Sequence, residues 1–216
     1  MQGTRFEGVF TDGDRLYTRN SAPGRTVYGE KLVTADDVQY REWVPTRSKL
    51  AAYIKVGGTF FPFRRDSKVL YLGAASGTTA SHIADIVTDG TVYCIEFSPR
   101  SFRDLVPVCE SRPNMVPFLA DATKPHEYAF GVSGVDVVYQ DIAQKGQAQI
   151  FMRNFKEFAA GLGLLVIKSR SEDVSQEPAR TYEDARKQLR AASLRVNEVV
   201  QLDPLEKDHA MIAVER

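Results

Sequence analysis

Two polar residues that close apolar runs are the ones in this chain best suited to moving a proton. Asp141 ends VDVVYQD and Lys168 ends LGLLVIK. Each run reads as a strand buried on both faces. Each polar residue therefore emerges at a strand's carboxyl end, where open α/β sheets hold their ligands. A lysine there can simply snorkel, with its stem buried and its ammonium in water. An acid and a lysine on neighbouring strand ends carry more weight than either alone, because each stabilises the other's charge. Two further carboxylates end strands earlier in the chain, Glu96 after TVYCI and Asp121 after MVPFLA. Glu96 follows Gly73 at close to the roughly 20-residue offset at which an acid meets a ribose diol. Asp121 can accept from an adenine amino group beside the Ala122 N–H, or make an Asx-turn. Phe97 can flank an adenine or pack in the core.

The stretch VLYLGAASGTT, residues 69–79, supplies the turn that such a ligand needs. A short β-prone run leads to Gly73 and Gly77, which bracket Ala74, Ala75 and Ser76. Thr78 and Thr79 then open a helical pattern. The glycines do not stand as G-x-G-x-x-G, and no lysine follows Gly77, so neither a dinucleotide loop nor a phosphate loop is matched. S-adenosylmethionine, a nucleoside cofactor without a phosphate, fits better. A tight βα turn whose glycines only relieve crowding is the alternative. Ile142, Ala143 and Gln144 follow Asp141 into the same region. Lys49 sits on a helix that can cross above these strand ends, although alone it reads as a solvated helix lysine. The charged turn Leu205–His209 adds Glu206, Asp208 or His209 as a further polar group. Basic pairs at Arg64-Arg65 and around Lys168–Arg170 could border a substrate groove.

The three histidines show no i, i+4 pairing and no cysteine cluster, so no metal site is expected. His82 reads as a surface or packed helix residue. No G-x-S-x-G elbow is present, which argues against a hydrolase.

Alternating strands and helices from Lys68 onward predict an α/β fold, a mostly parallel seven-stranded sheet closed by a C-terminal antiparallel hairpin. Before it, FEGVF, RLYTR, EKLVT and QYREW alternate and are divided by turns, predicting a small antiparallel β unit. The expected organisation is residues 1–45 for that unit and 46–216 for the larger domain. With 216 residues, 43% hydrophobic and 26% charged, the chain can bury a full core. No run approaches the ~18 apolar residues of a membrane span, and MQGTRFEGVF lacks a signal-peptide core. Cys94 and Cys109 form no disulfide framework, and a reducing cytoplasm is the expected setting. Formal net charge is zero. A protein that grips nucleic acid unaided is usually basic, so any RNA-directed activity here calls for a partner.

Several segments in order, VLYLGAASGTTASHIADIV, IEFSPRSFRDLVP, DATKPHEY, QDIAQKGQAQI, VIKSRSEDV and LEKDHAMIAV, resemble fibrillarin. The short N-terminal region without a glycine–arginine tail is similar to the archaeal fibrillarin-like form. The resemblance implies a Rossmann-like methyltransferase that moves the methyl of S-adenosylmethionine to ribose 2′-hydroxyls of rRNA and tRNA. It implies work inside a box C/D ribonucleoprotein with a guide RNA, a Nop-type scaffold and a kink-turn-binding ribosomal-type protein. By motif match, Thr78, Thr79, Glu96, Phe97, Asp121, Ala122 and Asp141–Gln144 would contact the cofactor, with Gly73, Ala75 and Gly77 shaping its loop. Lys49, Asp141 and Lys168 would match the catalytic set, with His209 favoured over Glu206 as its fourth member. Gln140 stands where relatives are expected to carry an acid. Alternatives are a small-molecule O-methyltransferase, or a non-catalytic cofactor-binding scaffold of an RNA–protein particle.

Overall fold

Alternate side chains of the apolar run Lys68–Leu72 enter two different cores, which makes this strand the centre of the molecule. In the computed structural model, which describes residues 1–216, Val69 and Tyr71 face one hydrophobic cluster while Leu70 and Leu72 face another. Full burial of a side chain such as Leu70 stabilises by about 1.5–3 kcal/mol.

Five strands form an N-terminal antiparallel sheet: β1 (Gln2–Gly3), β2 (Val9–Asp12), β3 (Arg15–Arg19), β4 (Leu32–Ala35) and β5 (Val38–Trp43), in the order β1-β2-β3-β5-β4. The two-residue β1 is too short to show alternation in sequence. The expected strand FEGVF begins only at Val9, because Gly8 turns the chain with φ +72°. Glu30, expected at the start of a strand, instead folds back to accept from the Val27 and Tyr28 N–H groups.

Ser48 splits the helical pattern after Pro45. A 3-10 turn covers Pro45–Arg47, Ser48 is extended, and α1 (Lys49–Lys55) follows, with the Ser48 hydroxyl accepting from the Ala51 N–H as an N-cap. The larger sheet then alternates strands and helices: β6 (Lys68–Leu72), α2 (Thr78–Ile86), β7 (Thr91–Glu96), α3 (Pro99–Glu110), β8 (Met115–Leu119), β9 (Val137–Gln140), α4 (Gln147–Glu157), β10 (Leu162–Lys168), α5 (Ser169–Glu172), α6 (Pro178–Ala191), β11 (Arg195–Gln201) and β12 (His209–Glu215). Its order is β11-β12-β10-β9-β6-β7-β8, with β12 antiparallel to both neighbours. The connection leaves β6 toward β7 and returns to β9 on the other side. The carboxyl ends of β6 and β9 therefore flank a topological switch point, where such sheets open a crevice. No helix is long and apolar enough to cross a membrane.

A buried charge cluster joins the small sheet to α2. Arg41 pairs with Glu30 at 3.0 Å and Asp85 at 3.5 Å, and Arg112 reaches Asp85 at 3.3 Å. His82 is packed rather than exposed. Its ring stacks on Trp43 at 5.0 Å, Nδ1 lies 2.8 Å from Thr18 Oγ1, and Nε2 lies 2.8 Å from the Tyr28 hydroxyl. Burial, then Arg41 and Arg112, push its pKa well below the ordinary value.

Candidate functional site

Gly73 follows β6 with φ +82°, and a Cβ there would stand 2.6 Å from the Asp141 carbonyl oxygen. Only glycine lets the β6 and β9 termini approach so closely. The loop continues through Ala75, also left-handed at φ +49°, and reaches Gly77, the N-cap position of α2. Glu96 braces it from β7. One carboxylate oxygen accepts from the Ala75 N–H at 2.8 Å and the other from the Ser98 N–H at 2.7 Å. With two acceptor sites on each oxygen, Glu96 keeps capacity for further donors.

These termini enclose a hollow of about 250 Å³ whose wall includes Gly73, Ala75, Glu96, Phe97, Asp121, Ala122, Asp141, Ile142, Ala143, Gln144 and Lys168. A hollow of about 450 Å³ between α6 and β11 is larger, but it lies at the far edge of the sheet and none of the residues around Gly73, Glu96 or Asp141 line it. Glu96 is 8% exposed and Phe97 73% exposed. A nearly buried carboxylate and an open aromatic face thus share one wall, an arrangement suited to an adenosine-like ligand with a free diol. Asp121 also makes the Asx-turn, accepting from the Thr123 N–H at 2.9 Å. Gly77, Thr78 and Thr79 lie outside the lining. Thr79 is buried, and its hydroxyl donates to the Ser48 hydroxyl at 2.9 Å.

Asp141 lies between two lysines. Lys168 Nζ stands 2.7 Å from Oδ1 and Lys49 Nζ 3.3 Å from Oδ2. All three side chains are mostly buried, with exposures of 13%, 17% and 18% for Asp141, Lys168 and Lys49. Burial by itself would raise the Asp141 pKa. Lys168 and then Lys49 outweigh it and hold the carboxyl below its ordinary range. Lys49 is brought here because Ser48, its N-cap, also accepts from Trp43 Nε1 at 2.9 Å, anchoring the start of α1.

The fibrillarin family model matches residues 1–216. The chain belongs to the fibrillarin family. A fibrillarin-like rRNA/tRNA 2′-O-methyltransferase of Methanopyrus kandleri is 50% identical over 97% of this chain and 94% of its own length. The Aeropyrum pernix fibrillarin, solved with natively bound S-adenosyl-L-methionine, matches with TM-score 0.89 and 43% identity over 99% of this chain and 96% of that one. A fibrillarin in complex with Nop5p matches with TM-score 0.91 and 38% identity, covering 99% of this chain and 100% of that one. The fold is thus the Rossmann-like methyltransferase fold of the family, with its small N-terminal sheet.

Within this fibrillarin framework His209 opens β12 directly opposite Lys168 on β10. Its Nδ1 lies 2.6 Å from the Lys207 carbonyl, which can only accept, so Nδ1 carries the proton and Nε2 is the free nitrogen. Glu206 makes no ion pair with either lysine. Arg64 and Arg65 precede β6 and lie at the amino ends of the strands, the edge opposite the hollow. Arg65 pairs with Asp89 at 2.6 Å, so these arginines do not border the site. Arg170 follows Lys168 and pairs with Asp208 at 3.0 Å. Sequence reasoning missed Gln147, which bonds both backbone groups of Lys168. A glutamine at a helix start carries no chemical signature, so no motif could have found it.

Proposed function

We propose that this protein is an S-adenosylmethionine-dependent ribose 2′-O-methyltransferase acting on rRNA and tRNA. It would work in a box C/D particle built on a guide RNA, a Nop-type scaffold and a kink-turn-binding ribosomal-type protein. The observation that carries this reading is Asp141 held between Lys168 and Lys49 at the mouth of the adenosine-sized hollow. The names of the relatives, the cofactor of the Aeropyrum pernix structure and the Nop5p complex support the choice of donor, acceptor and partner.

The residues present fit the cofactor. Glu96 offers a braced carboxylate to a ribose diol, Phe97 an aromatic face, and Asp121 with Ala122 an acceptor and donor for adenine. When bound, S-adenosylmethionine supplies a methyl group made electrophilic by its sulfonium. The protein's share is proximity, orientation and proton handling. A neutral ribose hydroxyl is a poor nucleophile, so a base must take its proton as it attacks. Lys168 is that base in this reading, because its Nζ stands beside the hollow, 2.7 Å from the carboxylate that aims it. Asp141 aims Lys168, Lys49 orients the ribose or its phosphate, and the free Nε2 of His209 stands ready as a further donor or acceptor.

A metal-assisted small-molecule methyltransferase is disfavoured by the same trio, since both Asp141 oxygens already face ammonium groups and a divalent cation there would meet like charge. The test is transfer of labelled methyl to RNA with scaffold, guide and kink-turn protein added stepwise. The reading expects transfer that survives exhaustive chelation and depends on the partners, because the isolated chain has no net positive charge with which to hold RNA. Efficient site-specific transfer by the lone protein would overturn the dependence on partners.

A further inference from the structure

The strand that carries Asp141 is too short to reach Lys168. β9 ends at Gln140, whose partner on β10 is Leu165, so the end of β10 runs on without a neighbour on that side. On the other side β12 keeps pairing as far as His209 opposite Lys168. The Lys168 backbone is satisfied all the same. Its N–H donates to Gln147 Oε1 at 2.8 Å, and Gln147 Nε2 donates to its carbonyl at 3.1 Å. A side-chain amide carries the same donor and acceptor as a peptide unit, so Gln147 replaces the missing strand residue.

Gln147 is itself fixed by burial and by two backbone hydrogen bonds. It is fully buried. Its carbonyl accepts from Gln140 Nε2 at 2.8 Å, a bond that an ionised carboxylate at position 140 could not donate. Its N–H donates to Glu172 Oε1 at 2.7 Å, while the Gly146 N–H holds the other oxygen of Glu172 at 2.8 Å. Glu172 lies on α5, which begins at the residue after Lys168. The contacts form a closed ring from Lys168 through α5 to the start of α4 and back, with a branch to the residue preceding Asp141. Neither Gln140 nor Gln147 touches the hollow.

We infer that Gln147 is a positioning residue that sets the aim of Lys168 at Asp141, and so at the acceptor hydroxyl. The inference rests on the reading of Lys168 as the proton acceptor in methyl transfer. A long lysine stem ranges widely unless its backbone is fixed, and misplacement of a reacting group by about 1 Å can cost on the order of a hundredfold in rate.

Two substitutions test it. Gln147→Met keeps length and burial and removes both bonds to Lys168. Gln147→Glu keeps the acceptor for the Lys168 N–H and regains a donor for its carbonyl only when protonated. Three quantities are compared with the parent: hydrogen exchange of the Lys168 amide by NMR, affinity for S-adenosylhomocysteine, and single-turnover methyl transfer in the assembled particle across pH. For Gln147→Met the expected result is faster amide exchange, affinity within about threefold, and a rate at least tenfold lower at saturating cofactor. For Gln147→Glu the deficit relative to the parent narrows as pH falls. If Gln147→Met does not fold, the Gln147→Glu pH profile decides, and a deficit that fails to narrow as pH falls would overturn the inference. Parent-like rates in a folded variant would overturn it too, as would a rate loss in Gln147→Met with Lys168 exchange unchanged. A parent particle that transfers no methyl would overturn the functional reading instead, and the Lys168 amide would still report on Gln147.

Discussion

Asp141 and Lys168 stand at the carboxyl ends of adjacent parallel strands with their charged atoms 2.7 Å apart, and Lys49 reaches the same carboxylate from outside the sheet at 3.3 Å. One buried acid thus serves two ammonium groups beside a hollow that carries a second, braced carboxylate. In the proposed reading the pairing aims Lys168 to take the proton while Lys49 keeps positive charge beside the attacking oxygen.

Replacing Lys168 with methionine removes the proton acceptor of the proposed mechanism while keeping most of the buried stem. Single-turnover methyl transfer is expected to fall by about 10²–10⁴-fold, the range for loss of a general base. Affinity for the cofactor, measured by titration calorimetry, should change far less. Asp141→Asn should lose rate similarly, because the carboxylate that aims Lys168 and anchors Lys49 is gone.

Glu96→Gln addresses the donor side. The carboxylate accepts from the Ala75 and Ser98 N–H groups, and an amide would turn its NH₂ toward one of them. Hydrogen bonds to a charged acceptor contribute about 1.5–3 kcal/mol. Cofactor affinity is therefore expected to weaken roughly ten- to a hundredfold, with the rate at saturating cofactor changed less.

Asp85→Ala tests the attachment of the N-terminal sheet. It leaves Arg41 and Arg112 buried without their shared carboxylate. Such removal costs about 3–5 kcal/mol, which for a chain of this length lowers Tm on the order of 10 °C. A change of a degree or two would show that the cluster does not carry the junction.

His82 gives the junction a pH dependence. The native state holds the ring neutral, so the unfolded chain takes the proton first as pH falls below the ordinary value of 6.5. Stability is therefore complete above that value and is lost toward acid, by at most about 1.4 kcal/mol per pH unit. Asp141 acts in another window. Its pKa is lowered, so its contribution is present above the ordinary carboxylate value and lost only as pH falls through the lower native one. Denaturation between pH 8 and 5 should show the first slope, and His82→Gln should flatten it.

The parallel order of strands was legible because each buried strand is a short apolar run closed by a polar residue, and Gly73 announces the turn at the switch point. Asp141 and Lys168 could be paired for the same reason. Lys49 was harder to place, since its position depends on Ser48 being bonded by Trp43 nearby and by Thr79 across a long sequence separation. Thr79 reads as a helix-opening residue that the resemblance gives to the cofactor, and its hydroxyl bonds Ser48 in that network. No motif singled out Arg41 or Asp85, and His82 read as a surface or packed helix residue. Only tertiary packing makes them a buried cluster, and alternation along a single element cannot show that.

The most direct test is mass-spectrometric analysis of nucleosides from guide-complementary RNA after incubation with the assembled particle and labelled S-adenosylmethionine. The expected result is a labelled 2′-O-methylribose at one guide-selected nucleotide, lost when Lys168 is replaced by methionine. Label on a base, label on no RNA at all, or undiminished ribose methylation by the Lys168→Met particle would contradict the account.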